Sequence, residues 1–149
     1  MGPLTLGIDV GTTRTKAVLA DVSGKLLRDQ TVSYCYAKPH PGWAEQDPED
    51  WWQAVRRTLQ LLLREHPGAK DQIAAIGVSG QGVASVLLDR QGKPLRPAIL
   101  WLDCRSASQA GALPARCSER LVAISGKSPA SYNVEPKLLW VRQHEPETW

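Results

Sequence analysis

Along the first 35 residues, apolar and polar positions alternate in three short runs, Leu4 to Val10, Thr15 to Ala20 and Leu26 to Tyr34, broken at Gly11 and Gly24. Alternation places successive side chains on opposite faces of a strand, so this stretch predicts a three-stranded meander. After the loop Lys38-Pro39-His40-Pro41-Gly42 the period changes. Asp47 can cap a helix, Pro48 suits its first turn, and Glu49 and Asp50 favour its dipole. Trp51, Trp52, Val55, Leu59, Leu62 and Leu63 then recur at helical spacing until His66-Pro67-Gly68 ends the pattern. That face must pack against something, most simply the meander.

Ile73 to Ser79 is a short β-rich apolar run that predicts a buried strand, and Ser85 to Leu88 and Ala98 to Trp101 predict two more extended pieces. Beyond Arg105 the pattern is helical. Ser118 reads as a cap for Leu121 to Ser125, Gly126 as a stop, and Pro136 as the opening of a last amphipathic helix with Leu138, Leu139 and Val141. Strands that flank a helix make the class α/β. There is no repeat, low-complexity tract or linker, and the end at Trp149, soon after the last helix, reads as an unfinished domain.

Composition narrows the classes. A chain of 149 residues has the size of one domain, and such a domain buries roughly two thirds of the surface its unfolded chain exposes. With 42% hydrophobic and 22% charged residues, disorder is excluded. The net charge of +3 comes from scattered basic residues, the adjacent pair Arg56 and Arg57 lying inside a helical pattern, so no nucleic-acid partner is expected. Cys35, Cys104 and Cys117 lack zinc or redox spacing and read as reduced thiols. No apolar run approaches the roughly 20 residues of a membrane helix. The N-terminus has no basic leader, and Leu6 stands where a myristoylation signal needs Ser or Thr, so the expected address is cytoplasmic and no membrane partner is expected.

The sharpest chemical feature is Gly7-Ile8-Asp9-Val10-Gly11-Thr12-Thr13-Arg14-Thr15-Lys16, a strand entering a turn of small hydroxylic residues and leaving as a second strand. Gly11 lets the backbone bend so that successive N–H groups form an anion nest, and Thr12 and Thr13 add hydroxyl donors. Lys16 can supply a compensating charge. Asp9 would repel a phosphate unless a divalent cation or its waters lay between them, which points to a nucleotide with Mg2+. Neither a Walker A sequence nor a dinucleotide fingerprint is present. The same residues also admit a plain hairpin turn with a solvated carboxylate.

These residues resemble the FGGY carbohydrate kinases, whose RNase H-like fold is shared with actin, hexokinase and the Hsp70 ATPases. The resemblance covers essentially the whole chain. It rests on the Gly-Ile-Asp-x-Gly-Thr-Thr start, on Pro41-Gly42-Trp43-Ala44-Glu45-Gln46-Asp47-Pro48 before a Trp-Trp helix, and on Ile76-Gly77-Val78-Ser79-Gly80-Gln81. Pro97-Ala98-Ile99-Leu100-Trp101 and Lys137-Leu138-Leu139-Trp140 follow in the same order. Within the family the chain is most similar to the xylulokinase branch, through the Pro-Gly-Trp-Ala-Glu-Gln-Asp-Pro segment, the Leu-Leu-Asp edge at Asp89 and the ending His144-Glu145-Pro146-Glu147.

The resemblance implies a mixed sheet with flanking helices and transfer of the ATP γ-phosphoryl group to a sugar hydroxyl, a pentulose being favoured. It puts Asp9, Gly11, Thr12, Thr13 and Lys16 on the ATP and Mg2+ side, with Asp9 toward the metal, and Gln81, Gly82, Val83, Trp101 and Asp103 on the sugar side. Polyols need fixed hydrogen-bonding groups such as Gln81 and Asp103, and an indole such as Trp101 offers a flat apolar face. Equally, Trp101 could be core, Asp103 a helix cap and Gln81 a partner of backbone groups. Gly82 and Val83 depart from the Met-His usual in that branch, and Leu102 replaces a polar residue, so another ketose or a polyol stays open. The family's general base is an aspartate far downstream, so the resemblance implies that residues 1–149 are an inactive N-terminal part of the first domain. A free-standing sugar- or nucleotide-binding module and an actin-like ATPase are the alternative classes, and a homodimer or self-association through the truncated edge is expected.

Overall fold

The computed structural model describes residues 2–149, except the side chains of 114–119, so the expected thiol of Cys117 lies outside the described residues. Two compact units emerge, Met1–Cys35 with Glu49–Gln81, and Tyr36–Pro48 with Gly82–Trp149.

The first unit is built on a mixed four-stranded sheet in the order β3-β2-β1-β5, where β1 is Leu4–Val10, β2 Arg14–Asp21, β3 Leu26–Ser33 and β5 Ile73–Gly80. The meander predicted from alternation is present: β1 and β2 pair antiparallel from Leu4 opposite Asp21 to Val10 opposite Thr15, and β3 continues the antiparallel ladder. Strand β5 lies parallel to β1, a pairing that needs the helical crossover the chain supplies between them. The period of two divides the chemistry. Leu4, Leu6, Ala17 and Leu19 are buried on one face with Ile8 packed beside them, and Gly7, Asp9 and Lys16 alternate onto the other.

Helix α1 (Pro48–Glu65) covers the apolar face with Leu59, Leu62 and Leu63, and Ala69 from the 3-10 turn Pro67–Asp71 completes that core. Its buried positions Ala54, Thr58 and Leu62 repeat every four residues, and the Thr58 hydroxyl donates to the Ala54 carbonyl at 2.7 Å, which satisfies it without a distant partner. Trp52, expected on this face, is 57% exposed. It lies two residues from Ala54, a rotation of about 200° around the helix, so its ring points away from the sheet. At the β5 edge Ile76 and Val78 share the face of Leu6 and Ile8 by register yet are 62% and 72% exposed.

The second unit holds a small ladder in which β4 (Glu45–Gln46) pairs antiparallel with β6 (Ala98–Ile99). The extended pieces expected at Ser85 to Leu88 and Ala98 to Trp101 reduce to this pair and to isolated bridges of Ser85 with Ile99 and Leu88 with Pro94. Two helices follow, α2 (Ala107–Ser125) and α3 (Val134–His144). Ser118 therefore lies inside a helix that is already running rather than at a cap, since the helical backbone continues from Ala107 through Gly111 and Pro114 to Ser125. Gly126 closes α2 with φ 68°, the left-handed conformation glycine adopts without a Cβ clash, and donates its N–H to Val122. Helix α3 begins at Val134, so Pro136 falls in its first turn, where a missing N–H costs nothing. Gln109 on α2 donates to Gln143 on α3 at 2.7 Å. Ile99, Trp140 and Val141 form the core here with Trp43 and Leu87.

Candidate active-site elements

Each unit carries its own cluster of chemistry. In the first, the turn between β1 and β2 closes through a hydrogen bond from the Gly11 N–H to the Arg14 carbonyl at 2.9 Å. A Cβ at Gly11 would stand 3.1 Å from that carbonyl oxygen, so a side chain there would have to push the turn open by a few tenths of an ångström. The expected nest thus loses the Gly11 N–H to the turn itself. Tyr34, which sequence reasoning placed only at the end of a strand, braces the turn from below: its hydroxyl donates to the Gly11 carbonyl at 2.6 Å and meets the Thr15 hydroxyl at 3.2 Å. Burial raises the Tyr34 pKa and the charge of Asp9 raises it further, against the opposing hydrogen bond from Thr15, so the phenol stays a donor.

Thr12 donates to the side-chain carbonyl of Gln81 at 3.1 Å, and the Gln81 N–H donates to Val10 at 2.8 Å. Gln81, expected toward a sugar, is thereby brought to the β1–β2 turn. Asp9 and Lys16 are register partners on the open sheet face, above an open depression of about 380 Å3 lined also by Gly7, Val18, Gly77 and Ser79. The small residues keep it clear; a Cβ on Gly7 would meet Val18 at 2.9 Å. Lys16 is ion-paired with Asp29 at 2.9 Å, both half exposed, a pair worth at most about 1 kcal/mol that an incoming anion can replace.

Could a magnesium nucleotide fit this turn? Among the described residues no group of three or more His, Cys, Asp or Glu converges, whereas Mg2+ keeps several waters and takes one or two carboxylates plus phosphate oxygens. A single exposed carboxylate beside a lysine and hydroxyl donors suits that arrangement.

In the second unit Asp103 is fully buried and fully engaged. Its carboxylate accepts from the Ala44 N–H at 2.6 Å and from the Arg105 N–H, Nε and Nη2 at 2.8–2.9 Å. Arg105 also pairs with Glu45 at 2.7 Å, Glu45 pairs with Arg96, and Arg96 reaches Glu145 at 3.1 Å. The Arg105 guanidinium lies 3.7 Å over the Trp43 ring and 5.0 Å from Trp140, which itself stacks on His144. Trp101 beside this hub is 44% exposed and Val83 36% exposed, with Gly82 open to solvent. Sequence reasoning missed this network because Ala44 and Asp103 are 59 residues apart. Lys137 is a second omission: it is completely buried, and its ammonium donates to the carbonyls of Val83 at 3.3 Å and Tyr132 at 3.0 Å. Burial pushes its pKa down to about 8, with Asp103 pulling the other way.

The N-terminal domain of the FGGY family of carbohydrate kinases matches residues 4–149. The chain belongs to the FGGY family of carbohydrate kinases. It is 42% identical over 142 residues to a xylulose kinase of Escherichia coli, covering 95% of this chain and 29% of that protein. A glycerol kinase of Thermococcus onnurineus is 32% identical over 146 residues, 98% of this chain and 30% of the relative. The crystal structure of a xylulose kinase from Rhodospirillum rubrum superposes with a TM-score of 0.92 at 34% identity, covering 97% of this chain and 30% of that one. The FGGY chain therefore has the RNase H-like mixed sheet expected of it and spans about 30% of the length of these relatives. No helix among the described residues is long and apolar enough to cross a membrane.

Proposed function

We propose that this chain is the N-terminal part of the first domain of an ATP-dependent carbohydrate kinase that phosphorylates a pentulose, xylulose before others, in the cytoplasm. The observation that carries the reading is the pair Asp9 and Lys16 on an open sheet face that leads into the Gly11-Thr12-Thr13 turn, in a chain alike to xylulose kinases over nearly all its residues.

Bound ATP would supply the transferable phosphoryl group and Mg2+ the neutralisation of its charge. The chain's own residues bind and orient. The Thr13 hydroxyl would donate toward phosphate oxygens, the Thr12 hydroxyl would do so on giving up Gln81, Lys16 would exchange Asp29 for an anion, and Asp9 would hold the metal through oxygen. Gln81 stiffens the turn through Thr12. On the sugar side, Gly82, Val83 and the exposed Trp101 form the accepting surface, and Asp103 contributes by anchoring the Ala44 backbone and Arg105. Phosphoryl transfer rests on positioning and on a carboxylate that takes the hydroxyl's proton. The buried Asp103 and Glu45 are committed to arginines, so these 149 residues are proposed to be inactive without a further carboxylate.

The test is a coupled ADP-release assay with ATP and Mg2+ over D-xylulose, L-xylulose, D-ribulose, glycerol and erythritol, on the 149-residue chain and on any longer reading frame that contains it. Sugar-dependent turnover by the longer protein alone is expected. Turnover by the short chain refutes the missing base, and silence from both refutes the kinase reading for these sugars.

A further inference from the structure

The first unit carries a second cavity, of about 400 Å3, where β1 begins and β2 ends. It lies roughly 20 Å along β1 from the turn at Gly11. Both ladders lose register at this end of the sheet. Leu4 pairs with Ile73 but Thr5 with Ala75, and Leu19 pairs with Arg28 but Ala20 with Leu26, so Ala74 and Leu27 are left over. Bulges bend the strands that carry them, and the unpaired Leu27 lines the opening. Pro3, Leu4 and Val22 add to an apolar lining with few polar groups, the character of pockets that take small molecules.

Those polar groups favour one kind of ligand. His66, at the end of α1, is held by its backbone, which donates to Leu62 at 3.2 Å and accepts from Ala69 at 3.0 Å, while its ring forms no hydrogen bond among the described residues. Asp21 stands opposite Leu4 in register. One of its oxygens takes the Ser23 N–H at 2.9 Å, the Ser23 hydroxyl at 2.6 Å and the Lys25 N–H at 3.1 Å, and the other has no partner among the described residues. The bond from the Ser23 hydroxyl does most to lower the Asp21 pKa, so the carboxylate is charged at neutral pH. Donors beside it are already spent, Ser23 on Asp21 and the Gln72 amide nitrogen on Gly68 at 2.8 Å. A carboxylate with a free oxygen at an apolar cavity attracts a cation and repels an anion.

We propose that this cavity binds a small amine with a flat apolar body, the ammonium pairing with Asp21 and the body lying against Leu4, Leu27 and the His66 ring. The site takes neither ATP nor sugar, and it stands whether or not the kinase reading does.

The experiment uses the longest protein that carries this chain and three probes with a common indole body: tryptamine, tryptophol and indole-3-acetate. A ligand of about a dozen atoms binds with a Kd on the order of a few mM. At about 10 mM tryptamine, hydrogen exchange followed by mass spectrometry should run roughly threefold slower at 21–27 and 66–72, with the β1–β2 turn unchanged. Titrations read the same way should find tryptamine about twofold to fivefold tighter than tryptophol, and indole-3-acetate weakest. D21N keeps the oxygen that holds the turn and removes the charge, and should bring tryptamine level with tryptophol. No slowing by any probe overturns the site. Tryptamine bound no tighter than the other two overturns the amine, and a preference that survives D21N overturns Asp21 as its partner. If D21N fails to fold, the ranking on the wild type still decides the ligand class.

Discussion

Replacing Asp103 by Asn separates a structural anchor from a sugar ligand, because the two roles predict losses in different measurements. The substitution keeps the side chain's shape, so no cavity opens. One retained oxygen can still accept from the Arg105 N–H and Nε at 2.9 Å. The new amide, however, presents N–H groups to the Ala44 N–H and to Arg105 Nη2, which now lie 2.6 and 2.8 Å from an acceptor. The buried Ala44 N–H loses its partner, and Arg105 Nη2 loses one of its two carboxylates. Removing one member of a buried pair costs about 3–5 kcal/mol. Arg105 keeps Glu45 at 2.7 Å, which places the expected loss near the lower end, about 3 kcal/mol. For a chain of this size that is a fall in Tm of roughly 6–12 °C. Urea unfolding followed by tryptophan emission suits the measurement, since Trp43 and Trp140 both lie against Arg105. A loss below about 1 kcal/mol combined with a large rise in the sugar KM would refute the anchoring role and make Asp103 a direct ligand.

Y34F should weaken the β1–β2 turn: it removes the bond to the Gly11 carbonyl and leaves the buried Thr15 hydroxyl without its partner. A loss of about 1–3 kcal/mol by urea titration is expected, together with, in the longer protein that carries this chain, a higher KM for ATP and an unchanged KM for sugar. The pH dependence of stability should carry Lys137's mark. Its folded pKa of about 8 lies below the ordinary 10.5, so between those values the unfolded chain binds more protons and stability rises with pH. Asp103, Arg105 and Cys104 are the charged or titratable groups that act on it. K137M should flatten that rise between pH 8 and 10.5 in denaturant titrations, and an equal slope in both proteins would contradict the assignment. V78K, on the 72% exposed edge position, should reduce self-association of the 149-residue chain in sedimentation velocity without lowering Tm.

Elements whose period was unambiguous could be read directly. The meander matches its predicted runs to within a residue or two, and α1 begins at Pro48 as its capping signals imply. Periodicity does not say which apolar residues face the core, which is why Trp52 was assigned to the sheet while Ala54 and Thr58 occupy it. Small residues at a close helix-to-sheet contact carry almost no hydrophobic signal. Ser118 shows the converse failure, a cap-type residue within a continuous helix whose ends are set by Ser106 and Gly126. At the site, the local part was legible: Asp9, Gly11 and Lys16 lie where one strand, one turn and the return strand must put them. Contacts across long stretches of chain were not. The carboxylate of Asp103 meets Ala44, Tyr34 meets Gly11, and Lys137 meets Val83, each pairing created by tertiary structure and invisible to any window of sequence.

A common logic links the two clusters. In each, a polar group some distance along the chain holds a small or partly exposed residue in place. Tyr34 holds the backbone of Gly11, Lys137 that of Val83 and Asp103 that of Ala44, and Gln81 holds the Thr12 hydroxyl. The arrangement follows from what ligand binding demands of a polar surface. A group that must exchange water for a ligand cannot also be locked by strong interactions of its own, so its position has to be set through the backbone from behind. Lys16 is the instructive exception, since its partner Asp29 is itself half exposed. The pair gives up little when an anion arrives, because solvent already screens it. On this argument, substitutions that change which ligand is taken are expected at Gly82 and Val83, and substitutions at Tyr34, Asp103 and Lys137 are expected to change how firmly these segments are held.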